Sequence, residues 1–395
     1  MSDKRLYGNE LKYLKEVLDT GFRASHGASM MQRFESAFAE RFGVKHGIAC
    51  VNGTATMHAA LEAWGIGEGD EVIVPPMTMA STTFAVLQSN ATPVFADIDP
   101  ETFQICAKSI KNRITTKTRA IIPVALFGLS PDLDVIMQLA RQNNIKVLED
   151  NAETFLGKYK GNIVGTMGDC ASFSFQNSKH LTSGEGGIVI TNDDDLADNI
   201  RRIVSLGYAG VSAKSGKVAR ETIQHPNYER HVTAGWNYRM PELCCAVALA
   251  QVENIDALVQ KRINAGKIFE EVIVSQNGPL TTQKIPKHCE HSYWTVAAYL
   301  NTDDLSWDDF RNKFREFGGD GVYACWKLTY DEPFFKNKAF LGREKYLTNS
   351  FNADKSCPNA EWLQSRLFLF KTNYWDQFKA EKQADILSKT IKYFL

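Results

Sequence analysis

Three short stretches carry residue types that can do chemistry together. The first, CASFSFQNSKHLTSGEGGIVITND at 170–193, runs from a buried-looking strand into a polar turn holding Lys179, then through a glycine-rich bend at 184–187 into a second apolar strand. Lysines are mostly solvated, but one on a turn between buried strands can be held inward. That placement suits a Schiff-base lysine, whose ammonium pKa has to come down from about 10.4 through burial or a cationic neighbour; a carboxylate alone would raise it. The second stretch, IKVLED at 145–150, is an apolar run ending on Asp150. A parallel sheet delivers such a side chain to the ligand crevice at its carboxyl ends; the plainer alternative is a cap on the following helix. In the third, VNGTATMHAAL at 51–61, a strand gives way to a helix at Gly53-Thr54-Ala55-Thr56. Free N–H groups and the helix dipole make that junction a phosphate site, although neither a Walker A sequence nor G-x-G-x-x-G is present.

A phosphate cradle, an anion and a lysine, in that chain order on one sheet, are the parts of a pyridoxal-phosphate site. There an aspartate keeps the pyridine nitrogen protonated, so that the ring accepts electrons from a substrate carbanion. Five ordered blocks extend the pattern: FESAFAERFGVKHGIACVNGTATMHAALEAWGIGEGDEVIVPPMT, ATPVFADIDPETF, VLEDNAETFLGKYKG, SFSFQNSKHLTSGEGGIVITND and WNYRMPELCCAVALAQVE. On these blocks the chain resembles the DegT/DnrJ/EryC1/StrS family of sugar aminotransferases, from about residue 10 until the likeness fades after about 340. The resemblance implies an α/β protein with the aspartate-aminotransferase fold (fold type I), a mostly parallel central sheet and a smaller C-terminal α/β domain.

The resemblance also implies roles. Lys179 forms the imine with pyridoxal 5'-phosphate and Asp150 binds the pyridine nitrogen. Gly53, Thr54 and Ala55 with Ser174 hold the phosphate, Asn237 reaches the phosphate of the other subunit of a homodimer, and Glu153 or Gln176 lies by the ring hydroxyl. His180, Glu185, Arg239 and Trp326 are the implied substrate contacts. The lysine falls five residues before the first glycine of GEGG, whereas sugar dehydratases that resemble the family place a histidine at that position; here the histidine, His180, comes one place later, which favours transamination. Departures from the pattern are Met79 where an aromatic residue usually stacks on the ring, Ala125 where a histidine often stands, and GGDGVYACWKLTYDEPFF at 318–335. The implied reaction moves an amino group from glutamate or glutamine to a keto-sugar. A nucleotide-linked keto-deoxysugar is the leading substrate, with a keto-cyclitol or an acyclic keto-sugar phosphate as alternatives. Dehydration is the rival chemistry, and a non-catalytic ligand sensor, against which Lys179 argues, is the rival class.

These residues need a scaffold, and the chain alternates accordingly between apolar runs and helix-like segments over 46–206, as a helix-covered parallel sheet does. Strands are predicted at 46–51, 71–74, 93–96, 119–125, 145–149, 170–175 and 187–191, with helices at 53–65, 80–90 and 131–144. Gly65 sits where a helix-ending glycine belongs. Two helical patterns, 8–19 and 30–42, precede this core; a polar loop, 209–231, follows it. A helix over about 240–271 then leads to a strand at 293–300 and helices at 306–317 and 376–393. The expected division is a large cofactor-binding domain, 1–250, and a small domain, 251–395.

Composition bounds the partners. Near-balanced charge, 45 basic against 46 acidic residues, removes any electrostatic case for nucleic acid. No apolar run approaches the roughly 18 residues of a membrane span, and the opening MSDKRLYGNELKYLKEVL lacks a signal peptide's apolar region, so a cytoplasmic protein is expected. Eight scattered cysteines without C-x-x-C point to buried thiols and to no metal site.

Overall fold

In the computed structural model, which describes residues 5–22, 29–214, 218–346 and 357–395, the seven apolar runs form one sheet. Its order is His46–Cys50, Gly187–Thr191, Cys170–Ser174, Lys146–Asp150, Thr118–Ile121, Glu71–Val74, Thr92–Phe95. All neighbours are parallel except at Gly187–Thr191, which runs against the strands on both its sides.

The alternation of side chains along each strand explains why the sheet is covered on both faces. Ile48, Val72, Val74, Ala120, Leu148 and Val189 share a cluster with residues of the helices Gly53–Ala63 and Asp194–Val204. Their neighbours Ile73, Ile121 and Val147 instead meet Ile110, Ile136 and Ala140. Ala49, Ala171, Phe173, Ile188 and Ile190 meet Phe34 and Phe38 of Met30–Phe42. That helix opens on a capping box from Ser29 and Gln32.

Glycines set two features near the strand ends. Gly65 follows Gly53–Ala63 in the left-handed region, φ 69°, its N–H bonded to the Glu62 carbonyl, as expected of a helix-ending glycine. At Gly187 a Cβ would lie 2.6 Å from the Asn52 carbonyl, so only glycine lets this strand press against the start of the helix Gly53–Ala63.

A second, antiparallel sheet follows, in the order Leu280–Thr282, Thr295–Leu300, Leu367–Lys371, Val322–Ala324. The helices Ile255–Gln276, Trp307–Glu316 and Gln377–Tyr393 share a core with one face of it. Ala297, Leu367 and Leu369 turn the other way, toward Met77, Val124 and Phe127 at the carboxyl end of the large sheet. The site described below lies between these two layers.

Some boundaries differ from expectation. The strand expected at 119–125 stops at Ile121, since Pro123 has no N–H to extend the ladder and Phe127 turns into the left-handed region at φ 66°. The helix expected over 240–271 is two, Glu242–Glu253 and Ile255–Gln276, broken at Asn254, whose side chain bonds back to the Ala250 carbonyl. Within 209–231 a short exposed helix, Arg220–Gln224, interrupts the loop, and the loop's ends pair with each other through Ala209 N–H to Arg230 and Val232 N–H to Gly207. Lys217 lies outside the described residues. Among the described residues no helix is long and apolar enough to cross a membrane, and no group of three or more His, Cys, Asp or Glu could hold a metal.

Candidate active site

Asp150 closes the strand Lys146–Asp150, and the parallel ladder to Cys170–Ser174 carries it to the carboxyl edge of the sheet. It is buried and accepts hydrogen bonds from Thr82 Oγ1 at 2.8 Å and Ala152 N–H at 3.1 Å. Burial pushes its carboxyl above the ordinary range, while those two donors and the Lys179 charge work against the shift.

The next strand ends at Ser174, and the chain then makes the bend that bears Lys179. The Lys179 N–H bonds to the Gln176 carbonyl at 3.0 Å and the Ser183 N–H to that of Phe175, which closes the bend on itself. Lys179 Nζ lies 3.3 Å from Glu153 Oε1 and 4.6 Å from the centre of the Trp294 ring, with only 12% of the side chain exposed. Glu153 is buried, and its Oε2 accepts the N–H of Phe127 at 3.1 Å. Burial raises the Glu153 carboxyl too, and the Lys179 ammonium is the first opposing influence.

At the other end, Asn52 caps the helix Gly53–Ala63 in extended conformation, its Oδ1 accepting the Ala55 N–H at 2.8 Å and its carbonyl the N–H of Thr56. The N–H groups of Gly53 and Thr54, which precede the reach of any helical carbonyl, are left to face outward. Thr56 Oγ1 and Ser172 Oγ, 2.5 Å apart, tie the helix to the sheet beside them. Ser174 is buried against Gly53, where an added Cβ would lie 3.2 Å from Ser174 Cβ.

These groups open into one cavity of about 1000 Å³. Of the residues singled out in the sequence, Gly53, Thr54, Met79, Asp150, Glu153, Ser174, Gln176, Lys179, Glu185 and Trp326 line it. Four do not. The N–H of Ala55 is taken by Asn52 and its side chain is buried in the core. His180 is fully buried behind the bend, because its side chain leaves on the opposite side from Lys179; its Nε2 meets the Ser292 carbonyl at 2.9 Å. The structure therefore corrects the expectation of a substrate contact at His180. Asn237 and Arg239 lie on a segment bridged to Ser205 and Cys50 and do not line this chain's cavity, and none of the described residues of 209–231 lines it either.

Residues that the sequence did not single out form the rest of the wall, among them Thr82, Ser178, Arg262, Trp294, Tyr323 and Trp375. Thr82 had a signal, a hydroxyl in the first turn of the helix Ser81–Gln88 beside the strand ends, whereas Arg262 and Trp294 arrive from distant sequence with none. A second depression of about 620 Å³, between Trp307–Glu316 and Gln377–Tyr393, holds no comparable set of groups.

The donor set fits pyridoxal 5'-phosphate. Unbonded N–H groups and the hydroxyls of Thr54, Ser174 and Ser178 suit a phosphate, a buried carboxylate suits a protonated ring nitrogen, and an inward lysine lies between them. The likenesses to known proteins agree. The profile of the DegT/DnrJ/EryC1/StrS aminotransferase family matches residues 5–390. The chain is 40% identical over 297 residues to the GDP-perosamine synthase of Caulobacter vibrioides and 39% identical over 297 residues to that of Escherichia coli O157:H7, in each case across 75% of this chain and 76% of the relative. It is similar to the X-ray structure of an aminotransferase from Psychrobacter cryohalolentis, at TM-score 0.86 and 26% identity, with 98% of both chains covered. With nearly its whole length matched, the chain belongs to the DegT/DnrJ/EryC1/StrS aminotransferase family, pyridoxal 5'-phosphate-dependent enzymes with the aspartate-aminotransferase (type I) fold.

Proposed function

We propose that this aminotransferase moves an amino group from glutamate or glutamine onto the ketone of a nucleotide-linked keto-deoxysugar, in two half-reactions. The observation that carries the reading is the meeting of Lys179 and Asp150 in one cavity, with the imidazole of His180 turned away from it. The sugar-nucleotide part is supported by the relatives named for GDP-perosamine synthesis.

Pyridoxal 5'-phosphate, when bound, supplies the electron sink that stabilises a carbanion at the substrate carbon. Gly53 and Thr54 N–H with the Ser174 hydroxyl would hold its phosphate, and Asp150, fixed by Thr82 and the Ala152 N–H, would hold the proton on the ring nitrogen. Glu153 or Gln176 would meet the ring hydroxyl, and Met79 the ring face. Lys179 Nζ would be the proton carrier, taking the proton from the donor's α-carbon and returning one in the second half-reaction. Glu185 and Trp326 would contact the sugar. Asn237 and Arg239 would act at the site of a second subunit in a homodimer. The same reading divides the chain into a large unit, 1–250, and a small one, 251–395.

A sugar dehydratase, the neighbouring chemistry, would need a histidine where Lys179 stands. The test is to mix cofactor-loaded enzyme with glutamate or glutamine, follow bleaching of the visible band, then add a nucleotide-linked keto-deoxysugar and identify the product by mass. An amino sugar and recovery of the band are expected. Oxygen loss without nitrogen gain would establish dehydration, and amination of only a keto-cyclitol or an acyclic keto-sugar phosphate would move the substrate class.

A further inference from the structure

The bend that bears Lys179 closes through the N–H groups of Lys179 and Ser183, while its carbonyls at 177–179 are bonded one after another by side chains. Arg262, on the helix Ile255–Gln276, donates from Nη2 to the carbonyls of Ser178 at 2.6 Å and Lys179 at 3.0 Å. Its Nη1 donates to the Trp294 carbonyl at 2.8 Å and to Thr372 Oγ1 at 3.3 Å. Arg5 bonds to the same bend, with Nη1 on the Asn177 carbonyl at 2.7 Å and Nη2 on that of Lys179 at 2.5 Å. Trp294 Nε1 adds a bond to the Ser178 carbonyl at 3.0 Å, and both guanidinium groups stand over the ring of Trp375.

Arg262 is 2% exposed, and among the described residues it forms no ion pair. A buried cation is normally kept beside an anion. The hydrogen-bond partners of this one are carbonyl and hydroxyl oxygens; burial, then the charge of Arg5, brings it down to about 9, and the Glu153 carboxylate works against that shift without bonding to it. Such a cation is hard to account for as a source of stability, whereas its planar fork is suited to fixing several acceptors at once.

We propose that Arg262, backed by Arg5, is a positioning residue: it fixes the backbone of the bend to the ends of the strands Thr295–Leu300 and Leu367–Lys371 and so aims Lys179 Nζ into the cavity. The inference rests on the reading of Lys179 as the attachment lysine. A lysine at 262 would keep the charge but could not reach the same oxygens with one ammonium, so charge and geometry separate experimentally.

The experiment uses Arg262→Lys, Arg262→Gln and Arg5→Gln in the full chain, with melting temperatures to confirm folding. Pyridoxamine 5'-phosphate, which cannot bond covalently to the lysine, reads non-covalent binding. Covalent attachment, in which Nζ condenses with the aldehyde carbon of pyridoxal 5'-phosphate and one water leaves, is followed by quenching with borohydride and mapping the labelled peptide. The pyridoxamine phosphate affinity is expected to change much less than the attachment rate in all three variants. Attachment to Lys179 should slow on the order of 10- to 100-fold in both Arg262 variants, as a displaced reacting group does, and less in Arg5→Gln. Unchanged attachment rates, equal losses in both readouts, or full rescue by Arg262→Lys would overturn the positioning role. If Arg262→Gln does not fold, Arg262→Lys and Arg5→Gln decide the matter. A wild-type label on a lysine other than Lys179 would instead sink the reading on which the inference rests.

Discussion

Lys179 and Glu153 form an ion pair 3.3 Å long inside the protein, and the carboxylate's second oxygen is held by the N–H of Phe127, a residue in the left-handed region. Two like-placed neutral groups would cost less to bury, so the pair stabilises the fold chiefly in the sense that neither member tolerates losing the other.

Glu153→Gln is therefore expected to destabilise the apoenzyme by about 3 kcal/mol, the usual order for breaking a buried pair. Adding Lys179→Met to it should recover much of that loss, giving a coupling energy in a double-mutant cycle. Urea unfolding of the four apoproteins measures it, and strictly additive effects would mean that the two groups do not interact in solution.

Asp150→Asn should retain the cofactor and lose most activity. The amide keeps the size and the Thr82 contact but cannot stabilise a proton on the ring nitrogen. For a preorganised charge facing the reacting system, a loss on the order of 100- to 1000-fold in kcat is expected. Single-turnover kinetics with the amino donor check it, and near wild-type rates would remove Asp150 from the chemistry.

A pH dependence follows from His291. Its Nδ1 accepts the Tyr293 N–H at 2.8 Å and its Nε2 donates to Gln283 Oε1 at 3.0 Å, an arrangement that only neutral imidazole can make. Burial brings it down to about 3 from 6.5. With the folded value below the unfolded one, the unfolded chain takes up the proton first, so stability present above about pH 6.5 is lost as pH falls toward 3. Relative to His291→Asn, which cannot titrate, the wild type should lose about 1.4 kcal/mol per pH unit across that window. Urea melts on both proteins at several pH values measure the difference; a constant difference would contradict the assignment.

What could be read in the sequence was what local sequence encodes. The strands of the large sheet came out within a few residues of their ends because fully buried strands leave uninterrupted apolar runs. Lys179, Asp150 and the turn Gly53-Thr54 were legible because each sits at a junction whose pattern is its own. Asp194–Val204 was missed despite a capping aspartate, an acidic first turn and a basic last one, signals that were present in the sequence. Leu367–Lys371 was missed because the sequence blocks that carried the likeness stop well before it, although the family profile runs on to residue 390. Arg262 and Trp294 had no signal at all: they bond to Ser178 across 84 and 116 residues, and only the packing of the second sheet brings them there. The expectation for His180 failed for a local reason, since adjacent side chains on the bend depart to opposite sides.

The last prediction concerns Asn237, which is exposed beside the exposed Trp236 and Val232 and does not line the cavity of its own chain. Its segment is tethered at the backbone, Val51 N–H bonding to the Tyr238 carbonyl and Tyr238 N–H to that of Val204, so the side chain is presented from a fixed support rather than from a loose loop. If it completes the phosphate site of a second subunit, Lys179→Ala and Asn237→Ala lie in different chains of the same site. A heterodimer of the two variants then contains one site with both residues intact and one with neither. Differently tagged subunits, co-expressed and purified through both tags, should regain activity and a borohydride-fixed label on the chain that keeps Lys179, while each homodimer stays impaired. Had Asn237 acted within its own chain, every site in the heterodimer would lack one residue, and no recovery would be seen.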